Sequence, residues 1–132
     1  MKDEKQQDDV PAVRDALMSP RRLSRLPFGP EAEVQLPTPV PVAVRVEQAW
    51  NDYQRGRLGS VIAALPALLQ TAQELEERAA RRFEDRSDCR AVTARAHHLA
   101  ATTLAKIGES DISWLAAERA MRAADESDSP GD

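Results

Sequence analysis

The chain has 132 residues, 30% of them charged and 42% apolar, with 22 acidic side chains against 18 basic ones and a net charge of −4. That length suits one domain, and that charge offers no broad positive field for nucleic acid. One cysteine cannot close an internal disulfide and fits a reducing cytoplasm, and the longest apolar stretch, VIAALPALL at 61–69, is too short to span a bilayer and contains a proline.

Residues 1–7 are polar and are expected to be disordered. Asp8 or Asp9 is a candidate cap for a short helix over 8–18, with Pro11 in its first turn and Val10, Val13, Leu17 and Met18 on one stripe. Six of the nine prolines then fall within 19–41, which predicts a linker; its end, Pro37-Thr38-Pro39-Val40-Pro41, suits polyproline II geometry.

From residue 42 the apolar period becomes helical. Val42, Val46, Ala49, Trp50 and Tyr53 define a first main helix, closed by Gly56 as a left-handed cap. A second carries Leu58, Val61, Ile62, Leu65, Leu68, Leu69, Ala72, Leu75, Ala79 and Phe83, with Pro66 expected to kink or split it. Glu74–Arg78 and Glu77–Arg81 have the supportive i, i+4 spacing. A third starts after Ser87 or Asp88, carries Val92, Ala96, Leu99, Ala100, Thr103 and Ile107, and ends at Gly108. A fourth begins at Ser110 or Asp111 and reaches Asp125, leaving 126–132 as a polar tail. The fold class is therefore all-α: a domain over 42–125 of about four main helices in antiparallel hairpins, preceded by the short helix and the linker. Alanines on both sides of the third helix (Ala94, Ala101 and Ala105 lie away from its stripe) suggest close helix approach of the tetratricopeptide kind. Leu104-x2-Ile107-Gly108, with Ala120 twelve residues after the glycine, supports this; Gly56 lies 52 residues from Gly108, so any repeat is irregular.

No catalytic constellation is visible. His97 and His98 are adjacent on a helix and cannot share a metal as an i, i+4 pair could. No glycine-rich phosphate loop, GxSxG turn or paired-carboxylate motif occurs. Cys89 near a helix start is the one candidate for an activated thiol. No catalytic residue, metal site or cofactor is expected. The basic run Arg21-Arg22-Leu23-Ser24-Arg25 lies in the linker without aromatic platforms, so direct DNA binding is not expected either.

Two sets of residues remain as binding candidates. Arg45, Gln48 and Asp52 project opposite the Trp50 stripe, and His98 projects opposite the stripe of the third helix; these four are candidate ligand-binding residues in a groove, whereas Trp50 itself reads as core. The fourth helix has a second apolar side, formed by Trp114, Ala117 and Met121, which is a candidate partner interface: the amino-terminal helix folds over it, a second subunit covers it, or it stays exposed.

Two blocks carry a resemblance. VRVEQAWNDYQRGRLGSVIAALPALLQTAQ at 44–73 and AHHLAATTLAKIGESDISWLAAERAMRAADESDSP at 96–130 resemble the tetratricopeptide-like region of XRE-type helix-turn-helix transcriptional regulators from high-GC bacteria, and DDVPAVRDALMSPRRLSRLPFGP at 8–30 resembles the segment joining their two parts. The most specific pieces are W-x2-Y-Q-x-G-R at Trp50–Arg57 and G-x2-D-x-x-W-L-A-A-x-R-A at Gly108–Ala120. The family's DNA-binding domain has no counterpart here, and its members usually continue through further repeats. The resemblance implies a truncated or internal piece: a non-catalytic sensing or dimerisation module, cytoplasmic, meeting a protein or peptide partner or a second copy. It would meet DNA only through a separate domain, and no membrane. The alternative is a stand-alone adaptor that self-associates or pairs with a full-length regulator.

Overall fold

The computed structural model describes residues 2–18 and 36–128. Five helices occur among them: α1 (Lys2–Met18), α2 (Pro39–Gln54), α3 (Leu58–Arg81), α4 (Arg86–Lys106) and α5 (Ser110–Asp128). No strand occurs among the described residues, so the fold is all-α. Most of the linker (19–35, including Arg21–Arg25) and the end of the tail (129–132) lie outside them.

The two glycine turns form as their chemistry requires. Gly56 (φ +77°) and Gly108 (φ +85°) adopt the left-handed conformation that disfavours side chains. Arg57 N–H donates to the Asp52 carbonyl at 2.8 Å, and Glu109 N–H to that of Leu104 at 2.9 Å. Each is the six-to-one bond that closes a Schellman cap and satisfies otherwise orphaned carbonyls. The α3–α4 turn is built differently. Arg86 Nε donates to the Ala79 carbonyl at 2.6 Å, and its guanidinium lies 5.3 Å from the centre of the Phe83 ring. Asp85 precedes α4 but does not cap it; its carboxylate takes Arg78 Nε at 2.7 Å, so α4 begins at Arg86 rather than after Ser87 or Asp88.

Several boundaries differ from expectation, each for a physical reason. α2 starts at Pro39, within the stretch read as extended linker, because first-turn prolines give up only N–H groups that have no intrahelical acceptor. α1 begins at Lys2 rather than near Asp8: KDEKQQDD contains no helix breaker, and the helix continues through Pro11 with one backbone bond missing. α3 likewise runs unbroken through Pro66. Phe83 lies beyond the end of α3 and is 71% exposed, and Met18 also points away from the core. α5 runs three residues past Asp125.

The core is continuous. Val61, Ile62, Leu65, Leu68, Leu69, Ala72, Leu75 and Ala79 of α3 are buried, and Val13 and Leu17 of α1 pack into the same cluster. α4 occupies the centre. Cys89, Thr93, Ala96, His97, Leu99, Ala100, Ala101, Thr103 and Leu104 are all buried on it, so it is covered on more than one side and has little amphipathic contrast. It runs antiparallel to α3, where Thr93 Oγ1 reaches the Ala72 carbonyl at 3.4 Å. It is also antiparallel to α5, where Ser113 Oγ donates to the Ala101 carbonyl at 2.8 Å and Arg90 meets Glu126 at 3.1 Å. α1 packs on α3, with Gln73 Nε2 donating to the Ala16 carbonyl at 2.8 Å. Arg14 reaches Asp111 at 3.2 Å and Glu109 at 3.6 Å. Burying Leu- and Ile-sized side chains stabilises by about 1.5–3 kcal/mol each, and this core is the main source of stability.

Candidate functional site

Two observations locate the site: a cluster around Trp50, and a groove beside it. α2 lies alongside α4 in the same direction, because Glu47 meets Arg95 and, three residues on, Trp50 meets His98. Trp50 is 8% exposed. Its ring takes the Arg95 guanidinium on one face, 4.4 Å from the centroid, and contacts Tyr53 and His98 edge-on at 5.8 and 5.2 Å. Arg95 also holds Glu47 through two bonds, 2.8 Å from Nε and 3.1 Å from Nη2. That bidentate bond keeps the Glu47 carboxyl below the usual carboxylate range and raises Arg95. The Trp50 indole N–H is buried without a protein acceptor.

Beyond this cluster, α4 and α5 enclose an open groove of about 510 Å³. Ala91, Ala94, Arg95 and His98 line it from α4, and Ala117, Ala120, Met121 and Ala124 from α5. Alanine dominates both walls because the helices approach closely, and small side chains leave a channel where larger ones would fill it. The wall is apolar. Its polar features are His98 and the paired Arg95.

The two candidate sets are rearranged by this geometry. His98, from the ligand set, shares the groove with Ala117 and Met121, from the partner set. Arg45, Gln48 and Asp52 do not line it. Arg45 is exposed and acts electrostatically on Glu74, whose carboxyl burial raises; Gln48 is exposed; Asp52 forms an exposed pair with Arg57 at 3.4 Å. Trp114 projects from the same side of α5 as Met121, and the two are 66% and 67% exposed. α1 does not cover them, since its contacts are to α3 and to the start of α5.

The cysteine differs from expectation, and the two histidines differ from each other. His97 is 2% exposed, and its Nδ1 lies 2.9 Å from the Thr93 carbonyl, to which it can only donate. Burial pushes its imidazole down to about 4, the backbone bond opposing and the Arg119 charge assisting. Cys89 is fully buried, and burial together with the Asp85 carboxylate pushes the thiol up to about 11, opposite to the activation its position suggested. Among the described residues, no three His, Cys, Asp or Glu side chains converge as metal ligands would. No helix among them is long and apolar enough to cross a membrane.

Arg95, two residues before the histidine pair, carries no local signal in the sequence, because its role depends on α2 lying beside α4. Ala94 and Ala117 stand out in the sequence as packing and interface residues, but the cleft they line with Ala91, Ala120 and Ala124 does not. Fold and site together define an all-α protein with an apolar groove between paired helices. No family model, curated protein or solved structure matches this chain.

Proposed function

We propose that this chain is the non-catalytic sensing or dimerisation module of a transcriptional regulator, binding a peptide, a small ligand or a partner subunit rather than DNA. The observation that carries the reading is the open alanine-walled groove between α4 and α5, flanked by the exposed Trp114 and Met121. A channel of this kind accepts apolar side chains presented on a helix or peptide. The resemblance of residues 44–73 and 96–130 to the tetratricopeptide-like part of XRE-type regulators supplies the regulatory context, with the helix pairs read as irregular repeats of that kind. The acidic balance of the chain favours a protein or peptide over nucleic acid.

The test has two parts. In fluorescence anisotropy with labelled genomic duplex fragments at physiological salt, the chain is expected to show no sequence-selective binding. In a displayed peptide library, the chain should retain peptides that its Ala94→Arg variant does not, because arginine there blocks the groove. Sequence-selective DNA binding by the chain alone, or retention indifferent to the groove variant, overturns the reading.

A further inference from the structure

The two hairpins repeat each other. In each, the first helix ends two residues before the turn glycine and the second begins two residues after it, about Gly56 in α2–α3 and Gly108 in α4–α5. Laid glycine on glycine, the groove residues Ala94, His98, Ala117, Ala120, Met121 and Ala124 stand where the first hairpin has Val42, Val46, Leu65, Leu68, Leu69 and Ala72. All six of the first hairpin are buried, and none of the six of the second is. What covers the earlier set is α4, seated between α2 and α3 through Glu47–Arg95, Trp50–His98 and Thr93–Ala72, with α1 against the outer flank of α3.

We infer that the α4–α5 groove seats an amphipathic helix of another protein, lying in the direction of α4 and carrying leucine-sized side chains on its buried stripe. This rests on the groove being a recognition surface and names what it recognises. Direction follows from the repeat. α4 lies beside α2 in the same direction, so a helix placed one hairpin further on lies beside α4 in that direction too. Its amino end meets Ala91 and Ala124, and its carboxyl end meets His98 and Ala117.

Size follows from the floor. Along its α3 side α4 presents small residues, Thr93, Ala96 and Ala100, all buried and spaced three and four apart. In the second groove the floor itself is small, because Ala117 and Ala120 stand in place of Leu65 and Leu68, and Ala94 in place of Val42. Filling that space to the density of an interior takes larger side chains, at the three-and-four spacing that anchors a helix in a groove. A second copy of this chain does not supply the helix. Its α2 would extend the arrangement, but the exposed side of α2 bears Arg45, Glu47, Gln48 and Asn51 together with Val44, and an apolar wall leaves those polar groups unpaired.

Two synthetic helical peptides, identical apart from leucine or alanine along a stripe of that spacing, test this by fluorescence anisotropy with the full chain. The leucine peptide is expected to bind at least about tenfold more tightly than the alanine peptide. Ala120→Leu restores the leucine of the first hairpin and fills the floor. It should weaken binding of the leucine peptide at least about tenfold, with an unchanged far-ultraviolet spectrum because the position lies at the groove surface. A nitroxide at the amino end of the bound peptide should broaden the amide signals of Ala91 and Ala124, and one at the carboxyl end those of His98 and Ala117. Equal binding of the two peptides, binding of neither, indifference to Ala120→Leu, or a reversed nitroxide pattern each overturns the inference. In any of these cases, library peptides that the chain retains and its Ala94→Arg variant does not leave the recognition reading standing with a different occupant. Retention of none removes both.

Discussion

Arg95 rests on the face of Trp50 while its Nε and Nη2 both donate to the Glu47 carboxylate, so one guanidinium joins α2 to α4 by stacking and by charge at once. Arginine suits this place because its planar head offers a flat face and a two-pronged edge together. Arg95→Ala is therefore expected to cost about 1 kcal/mol in chemical denaturation, the sum of a modest cation–π contact and a mostly exposed ion pair. Arg95→Lys should recover less than half of that. A loss below a few tenths of a kcal/mol would show that the stack contributes nothing.

His97 predicts an acid-sensitive fold. The unfolded chain takes up a proton near 6.5 and the folded chain only near 4. The unfolded state therefore binds more protons throughout that window, and stability falls as pH drops from about 6.5 to about 4, by up to roughly 3 kcal/mol. Above that window the histidine is neutral in both states and has no effect. Urea midpoints across this range should decline in the parent chain. They should decline distinctly less in His97→Leu, apart from the carboxylates common to both.

The Cys89 thiol should be silent in the folded protein. Being buried and held up to about 11, it should react with a disulfide reagent at pH 8 only as fast as the chain opens, and promptly once urea unfolds it. Fast labelling of the native protein would contradict its burial.

Two substitutions separate packing from backbone geometry. Leu69 is fully enclosed, so Leu69→Ala should cost about 2–5 kcal/mol through lost contacts and the space left behind. A methyl at Gly108 would meet nothing within 4 Å. Gly108→Ala should therefore cost only the strain of a left-handed residue, about 1–2 kcal/mol. Thermal melts that reverse this order would show the α4–α5 turn to be under greater tension than its geometry indicates.

What could be read from the residues beforehand follows how local the cause was. Gly56 and Gly108 ended their helices because the left-handed requirement acts within a few residues, and the α3 stripe was legible because helical periodicity is likewise short-range. Pro39 and Pro41 misled, since proline excludes a helix interior yet suits a first turn, and only the following backbone decides between them. His97 and His98 are adjacent and identical, but one is enclosed and the other faces the groove. That difference depends on α5 lying against α4, which no short window contains. The same holds for Glu47 and Arg95, whose side chains meet across 48 positions of sequence. The groove needed two such placements at once.

The attachment of α1 has a kinetic consequence. Helices α2 to α5 follow one another through turns of three or four residues, so their pairing closes short loops. The bonds from Gln73 to Ala16 and from Arg14 to Asp111 span 57 and 97 positions, and the entropy of closing such loops is recovered only once the other helices are in place. α1 should dock last during folding and lift first under native conditions, its amides exchanging ahead of those of α4. Each such excursion bares the flank of α3 beneath Val13 and Leu17, giving the molecule a transient greasy surface distinct from the α4–α5 groove.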